Sequence, residues 1–238
     1  MKIQEQMSQL RLLGMKHRYI SLQESRQLQN LSLSDGLELL LQAECENRNT
    51  KRTERLTHKA RFRYKASLSE INYLESRALD KNLIAALTDC SFISKGQSII
   101  ITGATGCGKS FLASALGQQA CLLGHKVLYS SLSKLLSQLK ISRIEGTLPR
   151  TMENIAKQNL LILDDFGITG LDQQQAIDLM EIIEDRHAQN ATIIATQLPI
   201  AAWYDMIPDS TIADAILDRL IHTATRIELK GDSLRKIK

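Results

Sequence analysis

The chain has 238 residues, 43% of them hydrophobic and 24% charged. Those proportions suit one large domain, or an ordinary domain with a small companion, and exclude a wholly disordered or collagen-like chain. Thirty Lys and Arg against 26 Asp and Glu leave a net charge of +4, which permits an acidic partner without requiring one.

Three prolines and twelve glycines favour long helices, and an aromatic content of 4% argues against an all-β sandwich or a base-stacking platform. Cys45, Cys90, Cys107 and Cys121 form no C-x-x-C pair and stand at no zinc-like spacing from a histidine. A reduced, cytoplasmic protein is expected. The first residues carry no apolar signal core, and no run approaches the ~18 apolar residues of a membrane helix. The expectation is therefore a soluble chain without membrane contact.

In chain order, Met7, Leu10, Leu13 and Leu22 give an interrupted helical pattern. A clearer helix follows Ser32-Leu-Ser-Asp35, where Ser32 can cap and Asp35 favours the positive helix end. Leu37, Leu40 and Leu41 recur there at helical spacing. No strand pattern precedes residue 95, so a small all-helical N-terminal domain is expected over residues 1–66. It closes on a basic stretch in which Arg48, Lys51, Arg52, Arg55, Lys59, Arg61, Arg63 and Lys65 face one acid, Glu54. Such a run is either a solvated helix face or an element that contacts nucleic-acid phosphates.

From residue 95 the pattern becomes strand–helix alternation. Ser98–Thr102, Val127–Ser130, Leu160–Leu163, Thr192–Thr196 and Thr225–Leu229 read as strands. Phe111–Leu123, Leu132–Leu139, Gln173–His187 and Ile212–Ile221 read as the helices between them. This predicts an α/β domain over residues 67–238: a five-stranded parallel sheet with right-handed crossovers and helices on both faces.

Two motifs carry chemistry. Gly103-Ala104-Thr105-Gly106-Cys107-Gly108-Lys109-Ser110 matches G-x-x-x-x-G-K-[ST] between an apolar strand and an apolar-periodic helix, the context a phosphate loop requires. Its glycines let successive N–H groups turn inward on a polyphosphate, and the helix N-terminus adds to that field. Lys109 then reaches the β- and γ-phosphates, and the Ser110 hydroxyl ligates Mg²⁺. Leu160-Leu-Ile-Leu-Asp164-Asp165 places two carboxylates at a strand C-terminus, the sheet edge where ligands collect. Asp164 is expected to hold the metal through water, and Asp165 to orient or deprotonate the attacking water.

These motifs resemble the IstB-type ATP-binding helper proteins of insertion sequences. So do Phe111-Leu-Ala, Thr196-Gln-Leu-Pro199 with Trp203, Ala213-Asp-Ala-Ile-Leu-Asp-Arg219-Leu220, and the closing Arg226-Ile-Glu-Leu-Lys-Gly-Asp-Ser-Leu-Arg235-Lys. The resemblance covers most of the chain and implies a P-loop NTPase of the AAA+ class, similar to bacterial replicative-helicase loaders, with strand order 5-1-4-3-2. It implies ATP and Mg²⁺ as cofactors and ATP hydrolysis as the reaction. It also implies a nucleoid-associated homo-oligomer, ring or helical filament, that assembles on and remodels target DNA and recruits a transposase.

By the same resemblance Gln197, with Thr196 as neighbouring candidate, senses the γ-phosphate. Arg219 is the arginine finger toward a neighbouring subunit, and Arg235 the second sensor arginine. Many related ATPases carry Glu where this chain has Asp165, which implies slower or more conditional hydrolysis. Only nineteen residues follow Arg219, so a reduced C-terminal lid is expected. Sequence-independent DNA contact is expected from Arg61, Arg63 and Lys65, from Lys140, Arg143 and Arg150, and from the C-terminal lysines. A helicase loader, or an ATP-dependent assembly switch that does not hydrolyse, would share nearly all of these motifs.

Overall fold

The computed structural model describes residues 3–73, 78–231 and 233. Packing divides the chain into two compact units, Met1–Arg55 and Leu56–Lys238. The division falls inside a helix, because the last turns of that helix bury Leu56 and Ala60 in the core of the second unit.

The first unit contains α1 (Ile3–Gln9), α2 (Leu13–Glu24) and most of α3 (Leu33–Ala60). At the start of α3 the Asp35 N–H donates to the Ser32 hydroxyl (3.2 Å), which donates in turn to the Asp35 carboxylate (2.7 Å), so an otherwise orphaned donor is satisfied. The residue before α2 is Leu12, which supplies no capping side chain. Glu44 of α3 does that work from across the pair, accepting the N–H groups of Gly14 (2.8 Å) and Met15 (3.2 Å). The close crossing requires glycine, since a Cβ on Gly14 would stand 2.4 Å from the Ala43 carbonyl oxygen. Leu22 and Met7 are buried, whereas Leu10, Leu37 and Leu41 are exposed. The leucine spacing thus forms the expected helix but does not mark its buried face.

The second unit opens with α4 (Lys81–Leu87) and α5 (Ser91–Ser94) and continues as β1 (Ile99–Gly103), α6 (Lys109–Leu122), β2 (Val127–Ser131), α7 (Leu132–Ile144), α8 (Leu148–Ala156), β3 (Leu160–Phe166), α9 (Gln173–Arg186), β4 (Ala191–Thr196), α10 (Ser210–Ile221) and β5 (Thr225–Leu229). All five strands are parallel, in the order β2-β3-β4-β1-β5, which is the order the resemblance implied. Both faces are covered, so Leu160 through Leu163 are all fully buried and read as an unbroken apolar run. Ile99, Ile101, Leu160 and Ile162 pack beneath α6 and the end of α3. Ile100, Leu161, Leu163 and Ile194 pack with α7 to α10 on the other face.

Helix α8 was not expected. Its signals are modest, a proline in the first turn and an apolar pair, Met152 and Ile155, that turns inward. Below it the fully buried Arg186 guanidinium donates to the carbonyls of Ile155 (3.0 Å), Gln158 (2.9 Å) and Ala191 (2.5 Å) and to the Thr192 hydroxyl (3.2 Å). One side chain therefore satisfies the end of α8 and the start of β4 together.

Burial opposes the Glu44 charge, but Arg48 (2.8 Å) and the N–H groups of Met15 and Gly14 outweigh it and hold the carboxyl below its usual pKa. A lowered folded-state pKa means that its contribution is complete above the ordinary glutamate value of 4.5 and fades as pH falls below it. Glu44→Gln in the full chain should therefore speed amide exchange at Gly14 and Met15 about fivefold, the ~1 kcal/mol of a lost cap. Acidification should lower the protection factors of these two amides, taken relative to intrinsic exchange at each pH, in the unsubstituted chain and little in the variant.

Candidate functional site

Strand β1 ends in Gly103, and the chain turns through residues 104–108 into α6 with Gly106 and Gly108 in the left-handed region (φ +84° and +97°). Side chains have no room there: a Cβ on Gly103 would lie 2.3 Å from the Leu229 carbonyl oxygen, and one on Gly106 would lie 2.2 Å from the Ser233 hydroxyl. The N-cap of α6 is Gly108, and no side chain caps it. The first-turn N–H groups thus face the loop's concavity with the positive helix end behind them. Lys109 folds back over the loop, its Nζ donating to the carbonyls of Gly103 and Ala104 at 2.8 Å each. Cys107 is turned inward and is 1% exposed.

Asp164 comes to this loop from β3. Its side chain is 2% exposed, and both carboxylate oxygens are saturated with donors. Oδ1 accepts from the Ser110 hydroxyl and from the N–H of Asp165, each at 2.9 Å. Oδ2 accepts from the Tyr129 hydroxyl and, at 3.4 Å, from Arg63. Asp165 follows at a register shift between β3 and β4, with its backbone in the left-handed region (φ +55°). That irregularity turns its carboxylate away from its neighbour's and into the open, where it meets Arg63 at 3.0 Å. Burial and the hydrogen bond to Asp164 both push the Tyr129 phenol well above its ordinary pKa, so it stays a proton donor at any physiological pH.

The end of β4 completes the site. Thr196 is buried and its hydroxyl is committed, donating to the Phe166 carbonyl (2.6 Å) and accepting the Leu198 N–H (2.9 Å). It lines the cleft beside Gln197 and ties the turn after β4 to the end of β3. Trp203, also fully buried, donates to the Leu198 carbonyl (3.1 Å) and packs tilted against Phe166, with ring centroids 4.6 Å apart. Held from both sides, this turn presents Gln197 outward, where its side-chain carbonyl accepts the Thr105 hydroxyl at 2.5 Å. Gln197 thereby stands against the phosphate loop. The cleft enclosed by the loop, Asp165, Gln197, Ile168 and the Tyr64–Phe111 ring pair measures about 500 Å³.

The other expected residues are placed differently. Arg219 pairs with Glu184 of α9 (2.5 Å) and donates to the Ala215 carbonyl (2.9 Å). Arg143, expected at DNA, binds the buried Asp178 at 2.6 Å. Arg63, also expected at DNA, is directed instead at the acid pair. Arg61, Lys65, Lys140 and Arg150 are exposed, and Arg235 lies outside the described residues. Sequence reasoning missed Tyr129 and the inward aim of Arg63. For Tyr129 a signal existed: β2 and β3 pair Tyr129 with Ile162 and Ser131 with Asp164, so period-two alternation puts the phenol on the face of the carboxylate.

A phosphate loop after β1, acids at the end of β3 and a polar residue at the end of β4, on a 5-1-4-3-2 sheet, define a P-loop NTPase fold of the AAA+ class. The chain belongs to the IstB-like ATP binding protein family, whose pattern it matches over residues 5–238. It is 37% identical over 232 residues to the insertion sequence ATP-binding protein y4pL of Sinorhizobium fredii, covering 98% of this chain and 95% of that one. It is 40% identical over 198 residues to the ATP-binding protein of IS1162 from Pseudomonas fluorescens, covering 82% and 84%. Among solved structures its fold is similar to the DnaC helicase loader, with TM-score 0.58 and 19% identity over 70% of this chain and 98% of that one. It is also similar to AMPPCP-bound DnaA from Aquifex aeolicus, with TM-score 0.60 and 21% identity over 74% and 54%. No helix among the described residues is long and apolar enough to cross a membrane.

If Thr196 is a tie and Gln197 the outward-facing group, their substitutions separate. Thr196→Val should lower unfolding stability by about 1–3 kcal/mol, the cost of leaving a buried N–H and carbonyl unpaired, whereas Gln197→Ala should leave stability within about 0.5 kcal/mol. Denaturant unfolding of the two variants reads the difference.

Proposed function

We propose that the 500 Å³ cleft binds ATP with Mg²⁺ and hydrolyses it, and that the chain uses this cycle to assemble on DNA and stimulate a transposase. The observation that carries the reading is the 2.9 Å bond between Ser110 at the mouth of the loop and Asp164 at the end of β3. It brings a hydroxyl and a carboxylate, the hard oxygen donors that suit Mg²⁺, to the end of a loop whose Gly103 has no room for a side chain. Ser110 and Asp164 would hold the ion, which would supply positive charge to offset that of the phosphates. Loop N–H groups hold the polyphosphate, and Lys109 exchanges its two carbonyl partners for phosphate oxygens. Asp165, half-exposed at the rim, orients the attacking water and takes its proton. Gln197, which accepts the Thr105 hydroxyl, is proposed to sense the γ-phosphate.

Arg219 is proposed to leave Glu184 and reach the nucleotide of an adjacent copy, so hydrolysis depends on assembly into a ring or filament. The exposed basic residues Arg61, Lys65, Lys140 and Arg150 supply sequence-independent contact to duplex phosphates, with a steep salt dependence. Membership of a family of insertion-sequence proteins supports a transposase as partner, recruited through the helical N-terminal region, here taken as residues 1–66. The DnaC-like fold favours helicase loading as the second reading. Capture of the cognate transposase rather than a replicative helicase by the tagged chain with ATP and DNA separates the two.

Lys109→Ala should weaken ATP binding about 10- to 100-fold, as expected for a lost charge-assisted contact; unchanged affinity would remove the nucleotide reading. Asp165→Asn should keep ATP affinity and lower phosphate release about 10²- to 10⁴-fold; normal turnover would exclude Asp165 as the base. Arg219→Ala should bind ATP normally but hydrolyse 10³- to 10⁵-fold more slowly with DNA present. Mixing it with Lys109→Ala chains should restore part of the rate, because active sites then form between copies.

A further inference from the structure

The basic stretch does not behave uniformly. Arg61 leaves α3 in the left-handed region (φ +59°), and the next three residues form a strap along α6, touching Phe111, Gly117 and Gln118. Phe62 lies edge-on to Tyr129, with ring centroids 6.1 Å apart. It also fills the space left by Gly117, where a Cβ would come within 2.5 Å of its ring. Tyr64 packs near Phe111, and its carbonyl accepts from Gln118 Nε2 at 3.0 Å. Between these anchors Arg63 turns inward, 5.8 Å over the Tyr64 ring, and its guanidinium meets Asp165 at 3.0 Å and Asp164 at 3.4 Å. A cation held by two aromatic anchors is an expensive way to make a surface ion pair, which is worth at most about 1 kcal/mol.

The donor inventory of Asp164 says what this arginine is for. Ser110, the Asp165 N–H, Tyr129 and Arg63 together surround both oxygens. Tyr129 is buried and the backbone N–H is fixed by its strand, whereas Ser110 is itself an expected ligand. Arg63 is the longest of the four contacts and is 43% exposed; of the four, it can withdraw most cheaply. We propose that Arg63 is a counter-ion built into the chain, neutralising the acid pair when no metal–nucleotide is bound and displaced when one enters. Its departure loosens the strap that joins directly onto α3, so that occupancy of the site reaches the basic helix. The inference rests on reading the cleft as a Mg²⁺–nucleotide site, and it assigns Arg63 a positioning role within that site.

The test compares affinities for a fluorescent, non-hydrolysable ATP analogue in Mg²⁺ and in EDTA. For the unsubstituted chain, binding in Mg²⁺ establishes the site; no binding at all overturns the site reading, and this inference with it. In Arg63→Gln, removing a competitor should tighten Mg²⁺-dependent binding about three- to tenfold, while the unshielded acid pair should weaken binding in EDTA by a similar factor, following the ~1 kcal/mol scale of a partly exposed ion pair. Arg63→Lys, which keeps the charge, should lie between. Amide exchange over residues 61–65 should rise on adding Mg²⁺ with the analogue and stay unchanged with the analogue in EDTA. Equal weakening in both conditions would make Arg63 an ordinary phosphate contact and overturn the proposal, as would affinities that do not move. Thermal unfolding within about 3 °C of the unsubstituted chain shows that the variants are folded; a chain of this size shifts by about 2–4 °C per kcal/mol.

Discussion

A carboxylate taken out of water must be surrounded by donors, and Asp164 is the point at which this molecule meets that requirement. Isolated, such a charge would be prohibitive to bury. Here it draws a hydroxyl from the first turn of α6, a phenol from β2, a backbone N–H from the residue that follows it, and a guanidinium from the segment after α3. Each donor comes from a different element, so the same electrostatic demand that makes the site also fixes how those elements pack. The parallel order β2-β3-β4-β1-β5 puts the end of β3 between Tyr129 on one side and the phosphate loop on the other, with β4 bridging.

A second layer of the same logic runs through the turn after β4. Thr196, Leu198, Trp203 and Phe166 form a closed set of hydrogen bonds and ring contacts, and what they leave outside is Gln197. Adjacent residues at the strand end thus face opposite ways, Thr196 into the core and Gln197 toward the Thr105 hydroxyl, as strand alternation requires. Arg186 on the far face shows the purely structural version, a buried guanidinium that donates to backbone carbonyls at the end of α8 and in β4.

The basic residues separate by environment rather than by sequence position. Arg143 and Arg63 are each turned to carboxylates, one in a helix contact and one at the acid pair. Arg61, Lys65, Lys140 and Arg150 remain in solvent. A run of eight cations is therefore not one functional unit, and within the span Arg61 to Lys65 neighbouring charges face a protein site and open water.

Much of this could be read from residue order. The phosphate loop is local, since eight consecutive residues contain the glycines, lysine and serine whose backbone path makes the cradle. The central strands β1, β3 and β4 were legible because their apolar runs are buried on both faces, and β5 because Ile227 and Leu229 alternate with exposed Arg226 and Glu228. The capped start of α3 was legible from Ser32 and Asp35. What residue order could not decide were partners far apart in the chain: Arg63 with Asp165, Tyr129 with Asp164, Glu44 with Gly14, Arg219 with Glu184. Local propensity acts over a few residues, but a charged side chain chooses its partner by burial and distance, and those exist only once helices and strands have packed.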